Sequence, residues 1–151
     1  MSIKLPLTDE ERTKLRKHKL KITEIASVPI DELRSILDVS LKRAKTLVAL
    51  ASFQQIPSIG PRMAENLIDL GYFSIDSFKG EDGAKLTDEL EKLYGYQVDP
   101  CVEDQIRLVV YYADNQNKDK QWWDFTEERK AYRAKYGYPD TRPTQVSYGT
   151  K

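Results

Sequence analysis

The chain has 151 residues, 40% hydrophobic and 32% charged, with a formal net charge of zero, one cysteine and one histidine. From this composition we expect a single cytoplasmic globular domain with no disulfide framework, no multi-cysteine or multi-histidine metal site, no signal peptide and no membrane partner. Residues 51–104 carry a net −7 (4 Lys/Arg against 11 Asp/Glu) between ends of +4 and +3, so nucleic-acid binding is expected to be local and modest.

Apolar spacing predicts helices throughout the chain and no strands. Thr8 and Glu11 have the S/T-x-x-E spacing of a capping box at the start of a first helix. Pro29 suits the first turn of a second helix. Ala44 and Leu47 begin an apolar stripe with i, i+3, i+4, i+7 spacing, which predicts a strong third helix.

Residues that favour helix ends mark the boundaries of the later helices: Gly71 as a stop, Ser74 as a cap, Gly95 as a stop, Asp99 and Pro100 as a start, and Thr126 and Gly137 as cap and stop of the last helix. We therefore expect an all-α fold of about seven helices, with one compact helical domain over residues 1–137. Residues 138–151 are polar with two prolines, and they are expected to form an irregular C-terminal tail.

Residues 56–64, Ile-Pro-Ser-Ile-Gly-Pro-Arg-Met-Ala, break the pattern between two helices. The stretch resembles a helix-hairpin-helix motif, in which an apolar residue, Pro, Gly, an apolar residue and Gly precede two or three variable residues and Ala. Ser58 stands where the motif has its first glycine. Gly60 is predicted to take a positive φ that reverses the chain within a few residues. Ile59 is predicted to point inward, and Pro61 to start the next helix.

Free backbone N–H groups at such a hairpin and at the following helix start favour an anion. We therefore predict that Ser58, Ile59 and Gly60 bind a DNA phosphate, with a charge-assisted contact from Arg62 and no direct reading of bases. No cofactor is expected, apart from a monovalent cation near Ile59 that the resemblance allows. The alternative is a tight turn that serves packing or protein contacts.

Residues 36–50 repeat residues 56–70 at an offset of 20, with identical or similar side chains at the structural positions. Ser40 replaces the turn glycine, so this first hairpin is interpreted as degenerate. Ser40 is predicted to cap the next helix, where Lys42 and Arg43 crowd the start. The resemblance to tandem hairpin domains implies that both hairpins grip phosphate backbones across a minor groove, so these three residues join the predicted phosphate site.

A longer pattern runs from the hairpin through Leu70-Gly71-Tyr72, Asp99 with Cys101, Arg107, Tyr111-Tyr112 and Trp122-Trp123. With these marks, residues 5–126 resemble the small helical bacterial family known as pathogenicity locus, whose members are also labelled mitomycin-resistance-like. The resemblance implies a helix-hairpin-helix fold and a link to DNA. It brings no assigned reaction.

An enzyme is the least favoured function. The stretch Val-Asp-Pro-Cys-Val around Asp99 is similar to the aspartate setting of helix-hairpin-helix DNA glycosylases, but their catalytic lysine would fall at Arg62, which stays protonated and forms no Schiff base. The position of Asp99 as a helix cap explains it without chemistry. Cys101 is expected to be a small buried side chain. We predict no catalytic residue and no metal ligand, since no pair of titratable groups is recognisable.

Aromatic residues of the C-terminal part leave two uses open. Trp122 and Trp123 either stack on bases or serve packing, with one in the core and the other clamping the last helix against it, and the second use is favoured. Arg129 and Arg133 share a face of the last helix with two tyrosines. That face either holds phosphate or is solvated with its tyrosines packed down, and again the second interpretation is favoured.

The predicted function is that of a non-catalytic protein that grips the phosphate backbone of double-stranded DNA weakly and with little sequence specificity. The alternative is a protein–protein interaction module on the same fold. Such a module would dock a partner through the acidic middle of the chain or through the aromatic C-terminal helix.

Overall fold

Seven α-helices and three short 3-10 turns form over residues 2–146, the part of the chain that this computed structural model describes. Within that part no strand forms, only an isolated parallel bridge between Gln97 and Val146, so the all-α fold class is confirmed. No helix there has the length and apolar character needed to cross a membrane. The helices are α1 (Asp9–Lys17), α2 (Ile30–Leu37), α3 (Leu41–Phe53), α4 (Pro61–Asp69), α5 (Gly83–Tyr94), α6 (Pro100–Asn115) and α7 (Thr126–Tyr136), and the turns are Ile22–Ser27, Asp76–Phe78 and Trp122–Phe125.

Most helix ends fall at the capping residues that the sequence marks. Thr8 and Glu11 form the reciprocal capping box of α1. Asp99 caps α6, with Pro100 in the first helical position. Gly95 ends α5 in the left-handed conformation that a glycine adopts without strain. Local capping chemistry therefore sets these boundaries before any tertiary contact is considered.

Thr126 is an exception, since it does not cap α7 as the sequence predicts. The preceding turn runs directly into the helix, and Phe125 holds the N-cap position with a φ of −101° and a ψ of 0°. The Thr126 hydroxyl donates instead to the carboxylate of Asp104 at 2.9 Å. The Thr126 hydroxyl is therefore bonded to a buried carboxylate on α6 and does not cap α7.

Helix α3 is the centre of the first half of the fold. It packs against α2, α4 and the turn at residues 22–27. Ala44 and Leu47 are fully buried, and the small alanine side chains of α3 let the neighbouring helices approach closely. Phe53 connects this core to the second half through an edge contact with Phe78, with ring centroids 5.9 Å apart.

Helix α6 is the centre of the second half, where it packs against α5, α7 and the turn at residues 122–125. Its apolar side chains Ile106, Val109 and Ala113 are fully buried. By contrast, no residue of α7 is buried. Helix α7 is therefore attached mainly through polar contacts, which are described below.

The turns before α3 and α4 repeat each other in backbone conformation. Asp38 and Ser58 have positive φ values of 53° and 58°. Ser40 and Gly60, two residues further on, are the extended N-caps of α3 and α4. The sequence repeat at an offset of 20 residues is therefore also a repeat of the chain path. That these turns act as DNA-binding hairpins remains a prediction.

Residues 138–146 follow an irregular path across the domain. The ring of Tyr138 lies between the guanidinium groups of Arg133 and Arg142, whose central carbons are 4.1 and 3.5 Å from the ring centroid. This part of the predicted tail is therefore packed against the helices. Residues 147–151 of the same prediction lie outside the described residues.

Candidate DNA-binding site

The turn at residues 56–60 reverses at Ser58 and not at Gly60. Ser58 has a φ of 58°, in the left-handed region where a side chain costs about 1–2 kcal/mol. Gly60 has a φ of −99°, which any residue can adopt. The prediction that Gly60 reverses the chain through a positive φ is therefore wrong. The chain turns two residues earlier than predicted, directly before Ile59, whose side chain is 1% exposed in the core.

The hydroxyl of Ser58 is already engaged within the protein. It donates to the Pro57 carbonyl at 2.7 Å and accepts the backbone N–H of Trp122 at 3.1 Å. The second bond ties the hairpin to the turn that precedes α7. Donation of this hydroxyl to a phosphate would require the bond to Pro57 to break.

Helix α4 begins with its backbone donors open. Gly60 is the N-cap and supplies no side chain, and Pro61 occupies the first helical position. The N–H groups of Gly60, Arg62 and Met63 make no hydrogen bond to any described residue. The side chain of Arg62 is exposed beside them. Three open backbone donors and an exposed arginine therefore belong to the first turn of this helix.

Among the α-helices of residues 2–146, α4 is the least compensated at its N-terminus. In α1, α3, α5 and α6 a side-chain oxygen of the N-cap residue accepts a backbone N–H, and α2 and α7 each carry two acidic residues in the first turn. Helix α4 has neither device. Because open N–H groups and the helix dipole both attract an anion, this end of α4 is the best placed to receive one.

The start of α3, the degenerate hairpin, is closed by its own side chains. Ser40 accepts the Arg43 N–H at 3.1 Å. The Arg43 guanidinium donates to both carboxylate oxygens of Glu11 at 3.1 and 2.9 Å, and to the Pro6 carbonyl at 2.6 Å. This hydrogen bonding lowers the pKa of Glu11 and raises the pKa of Arg43. Of the residues predicted here to hold phosphate, Lys42 has an exposed side chain with no such pairing.

A groove with a volume of about 260 Å³ lies next to the first turn of α4. Arg62 and Asn66, one turn apart on that helix, line it together with Tyr94, Tyr96 and Asp99. The groove thus unites Arg62 and Asp99, the two positions compared with DNA glycosylases. Asp99 keeps its capping role, since one of its oxygens accepts a backbone N–H at 2.9 Å. A guanidinium that stays protonated offers no nucleophile beside it.

A cluster of buried ion pairs joins α7 to α6, and the sequence motifs gave no direct sign of it. Glu103 and Asp104 on α6 are 2% and 1% exposed. Arg133 donates to Glu103 at 2.9 Å, and Arg129 donates to Asp104 at 2.6 Å. Arg107 adds a third guanidinium, 3.0 Å from Glu103. The signal in the sequence was the complementary charge of the acidic middle and the basic C-terminal segment.

The same kind of pairing extends to α5 and to the irregular segment. Glu91, 1% exposed, accepts two bonds from the Arg142 guanidinium at 2.8 and 3.1 Å. Arg133 also donates to Asp88 at 2.9 Å. The prediction of a solvated face for Arg129 and Arg133 is therefore wrong, since their side chains are 13% and 7% exposed. Both guanidinium groups are already paired with carboxylates of the domain itself.

The tryptophans of the turn before α7 have different environments. Trp122 is half-buried and packs against the core, whereas Trp123 is 56% exposed. The prediction that one tryptophan enters the core agrees with Trp122. The exposed side chain of Trp123 lies close to the hairpin in the chain path, because the backbone N–H of the adjacent Trp122 is bonded to Ser58.

The environment of Cys101 disfavours a nucleophilic thiolate. Burial of the thiol, together with hydrogen bonding to Asp99, raises its pKa to about 12. The thiol is therefore protonated at neutral pH, and it is the thiolate that attacks electrophiles and binds metals. Cys101 is half-buried, so the full burial predicted for it is not reached.

Between residues 2 and 146, no group of three or more His, Cys, Asp or Glu side chains is placed to hold a metal ion. In the hairpin, the carbonyls of Ile56, Pro57 and Gly60 each accept a hydrogen bond, from Ile59, Ser58 and Ala64 respectively. The monovalent cation near Ile59 stays a prediction. These three carbonyl oxygens already accept hydrogen bonds within the protein, so they are less available to bind a cation.

Comparison with known proteins connects this region to one family. The profile of the family described as pathogenicity locus matches residues 46–131, more than half of the chain, and the match includes α4 and the groove beside it. No curated protein and no solved structure shows significant similarity to the chain.

Proposed function

The chain belongs to the pathogenicity locus family, and from that premise we propose that it is a non-catalytic protein that binds the phosphate backbone of double-stranded DNA. The first turn of α4 is the anchor. A phosphate oxygen accepts the open N–H groups of Gly60, Arg62 and Met63, and the Arg62 guanidinium pairs with its charge. Backbone donors read no base, so sequence specificity is low.

The observation that carries this proposal is the uncompensated N-terminus of α4. A helix end has four N–H groups without intrahelical partners, and proteins normally satisfy them with a cap, an acid or water. Here a glycine and a proline open the helix and an exposed arginine follows. This combination suits an external anion, and DNA is the anion that the family resemblance favours.

The proposed site is smaller than the one expected from the sequence. The Arg43 guanidinium is held by Glu11, and the Ser58 hydroxyl is held by Pro57 and Trp122. Lys42 remains as an exposed helper at the start of α3. With about two phosphates contacted, log affinity should fall against log salt concentration with a slope of about −2. The exposed acids Glu65 and Asp69 keep the binding weak.

The test is an anisotropy titration of a labelled duplex at low salt, using substitutions at Gly60. An ideal Cβ at Gly60 meets no atom within 4 Å, and its extended backbone accepts any residue. Gly60→Asp should stabilise α4 by about 0.5 kcal/mol as a charged cap and yet lower DNA affinity at least tenfold. Gly60→Ala is the matched control, because it adds a Cβ at the same open position without a side-chain oxygen that would accept the N–H groups of the first turn.

Charge reversal gives an independent arm of the same experiment. Arg62→Glu should abolish duplex binding, whereas Lys130→Glu, an equal reversal on the exposed face of α7, should leave most of it. Failure of the duplex to bind at low salt rejects the proposal. So does equal binding by wild type, Gly60→Asp and Arg62→Glu.

A protein-interaction module is the second candidate function, and exposed aromatic residues favour it. Trp123 and Tyr136 are 56% and 63% exposed, and large aromatic side chains dominate many interfaces. In the acidic middle, Glu91, Glu103 and Asp104 are paired internally, so a partner would meet the exposed acids, such as Glu81 and Glu89. A pull-down from nuclease-treated lysate separates the two functions, because a partner that survives the treatment and is lost with Trp123→Ala favours the module.

A further inference from the structure

The groove beside α4 is lined by a buried amide whose partners within the protein are weak or shared. Asn66 is 8% exposed. Its amide nitrogen meets only the Met63 sulfur, at 4.0 Å, which is a weak acceptor. Its amide oxygen lies 2.9 Å from the Tyr94 hydroxyl, and that hydroxyl also lies within hydrogen-bond distance of Asp69. Since a hydroxyl has one proton, and a carboxylate is the stronger acceptor, at least one end of the buried amide lacks a good partner.

Two tyrosine rings stand beside this amide. Tyr94 and Tyr96 are stacked on each other, with ring centroids 5.5 Å apart and an interplanar angle of 25°. Both line the groove, together with the apolar side chains Val98 and Val102. Flat aromatic walls with a nearby polar amide favour a planar ligand that also carries hydrogen-bonding edges. The groove volume of about 260 Å³ lies just below the range of about 300–1,000 Å³ typical of drug-sized ligands, so it suits a single small ring system.

The groove is continuous with the proposed phosphate anchor. Arg62 lines the groove and belongs to the first turn of α4, and Asn66 follows four residues later on the same face. Four residues of helix span about 6 Å, so one nucleotide can reach from the anchor to the amide.

We propose that the groove formed by Arg62, Asn66, Tyr94 and Tyr96 receives one unpaired nucleobase of a DNA strand whose phosphate is bound at the start of α4. This inference rests on the proposed function and names its preferred substrate, which is duplex DNA with an unpaired nucleotide. Bulged or gapped DNA is favoured over a perfect duplex because drawing a base out of a duplex costs a few kcal/mol in lost stacking and pairing.

The test compares three labelled duplexes of one length at low salt: fully paired, with one bulged adenine, and with a bulged abasic nucleotide. The abasic probe keeps the phosphate and the bent backbone but lacks the base. We expect the adenine bulge to bind about tenfold more tightly than the abasic bulge, in keeping with the measured contribution of base–aromatic stacking. Tyr96→Ala should reduce the adenine bulge to the affinity of the abasic one.

Two controls separate this inference from simpler explanations. Tyr96→Phe keeps the ring and should keep the preference, and Tyr136→Ala removes an exposed tyrosine of α7 that lies outside the groove and should change nothing. Equal affinity of wild type for the adenine and abasic bulges overturns the groove inference. If Gly60→Asp then still lowers the affinity for all three probes at least tenfold, the phosphate function stands alone. Absence of binding to every probe overturns both proposals.

Discussion

The hairpin region and the ion-pair region of this protein are held together by different forces. In the hairpin region, residues 30–69, the buried contacts are mostly apolar, and Leu47 and Leu67 are fully buried. In the ion-pair region, defined as α7 with the carboxylates it covers on α5 and α6, no residue of α7 is buried and the contacts join guanidinium groups to carboxylates. The arginines that resemble nucleic-acid ligands in the sequence are therefore structural, and the exposed Arg62 lies in the other region.

The largest expected effect breaks the ion-pair region at its centre. Arg133→Met leaves Glu103, 2% exposed, without one of its partners, and it also removes the partner of Asp88. Breaking a buried ion pair from one side costs about 3–5 kcal/mol, and because Arg107 still pairs with Glu103 we expect a loss at the lower end, about 3 kcal/mol. Chemical denaturation should show this loss in the free energy of unfolding. If the free energy of unfolding fell by less than about 1 kcal/mol, the buried ion pairs would not be what holds α7 to the domain.

Two further variants serve as comparisons for the stability loss of Arg133→Met. Lys130→Met removes an exposed cation of the same helix and should change the stability by less than about 0.5 kcal/mol. Leu67→Ala in the hairpin region should cost about 2–5 kcal/mol through lost burial and a cavity. Raising the salt concentration should affect the Leu67→Ala penalty little, because that penalty contains no charge.

A smaller effect tests the ion pair that lies at the edge of the hairpin region. Hydrogen bonding to Arg43 lowers the pKa of Glu11 in the folded protein. The stabilisation is therefore present above the unfolded pKa of this carboxyl, near 4.5, and is lost as pH falls through the lower folded pKa. Glu11→Gln should destabilise the protein by about 1.5 kcal/mol at pH 7. In urea titrations this difference from wild type should shrink below pH 4, and a penalty that does not change with pH would contradict the assignment.

The smallest effect concerns the strained turn that links the two regions. Ser58→Ala removes the bonds to Pro57 and Trp122 and keeps the positive φ, whereas Ser58→Gly removes the same bonds and relieves the strain. The glycine variant should therefore be the more stable of the two by about 1 kcal/mol. Thermal unfolding monitored by circular dichroism measures the difference. Gly60→Ala, at a φ of −99°, should show no comparable strain. If Ser58→Ala were more stable than Ser58→Gly, and Gly60→Ala were strongly destabilising, Gly60 and not Ser58 would be the residue that reverses the chain.

Much of the helical architecture could be predicted from local sequence. The capping box of α1, the Asp99-Pro100 start of α6 and the offset of 20 residues between the two turns all appear in the structure. These features depend on residues a few positions apart, so a single sequence contains their cause. Thr126 shows the limit, because its hydroxyl is claimed by Asp104, 22 residues away.

The position of the candidate site could be predicted from the sequence, but which residues are available to bind there could not. The motif pointed to residues 56–64, yet nothing in the local spacing could show that Arg43 pairs with Glu11, 32 residues away, or that the Ser58 hydroxyl bonds to Trp122, 64 residues away. Likewise, the tyrosines of the groove follow α5 and meet α4 only in the folded chain.

The sequence by itself determined the all-α class, the capping residues and the tight turn before α4, because helix propensity and capping act over three or four residues. Only the tertiary structure decided which charges are available to a ligand. Long-range packing placed the basic C-terminal helix over the acidic residues of α5 and α6, where burial makes each guanidinium a required partner. It left the start of α4 uncovered, and with it the exposed Arg62.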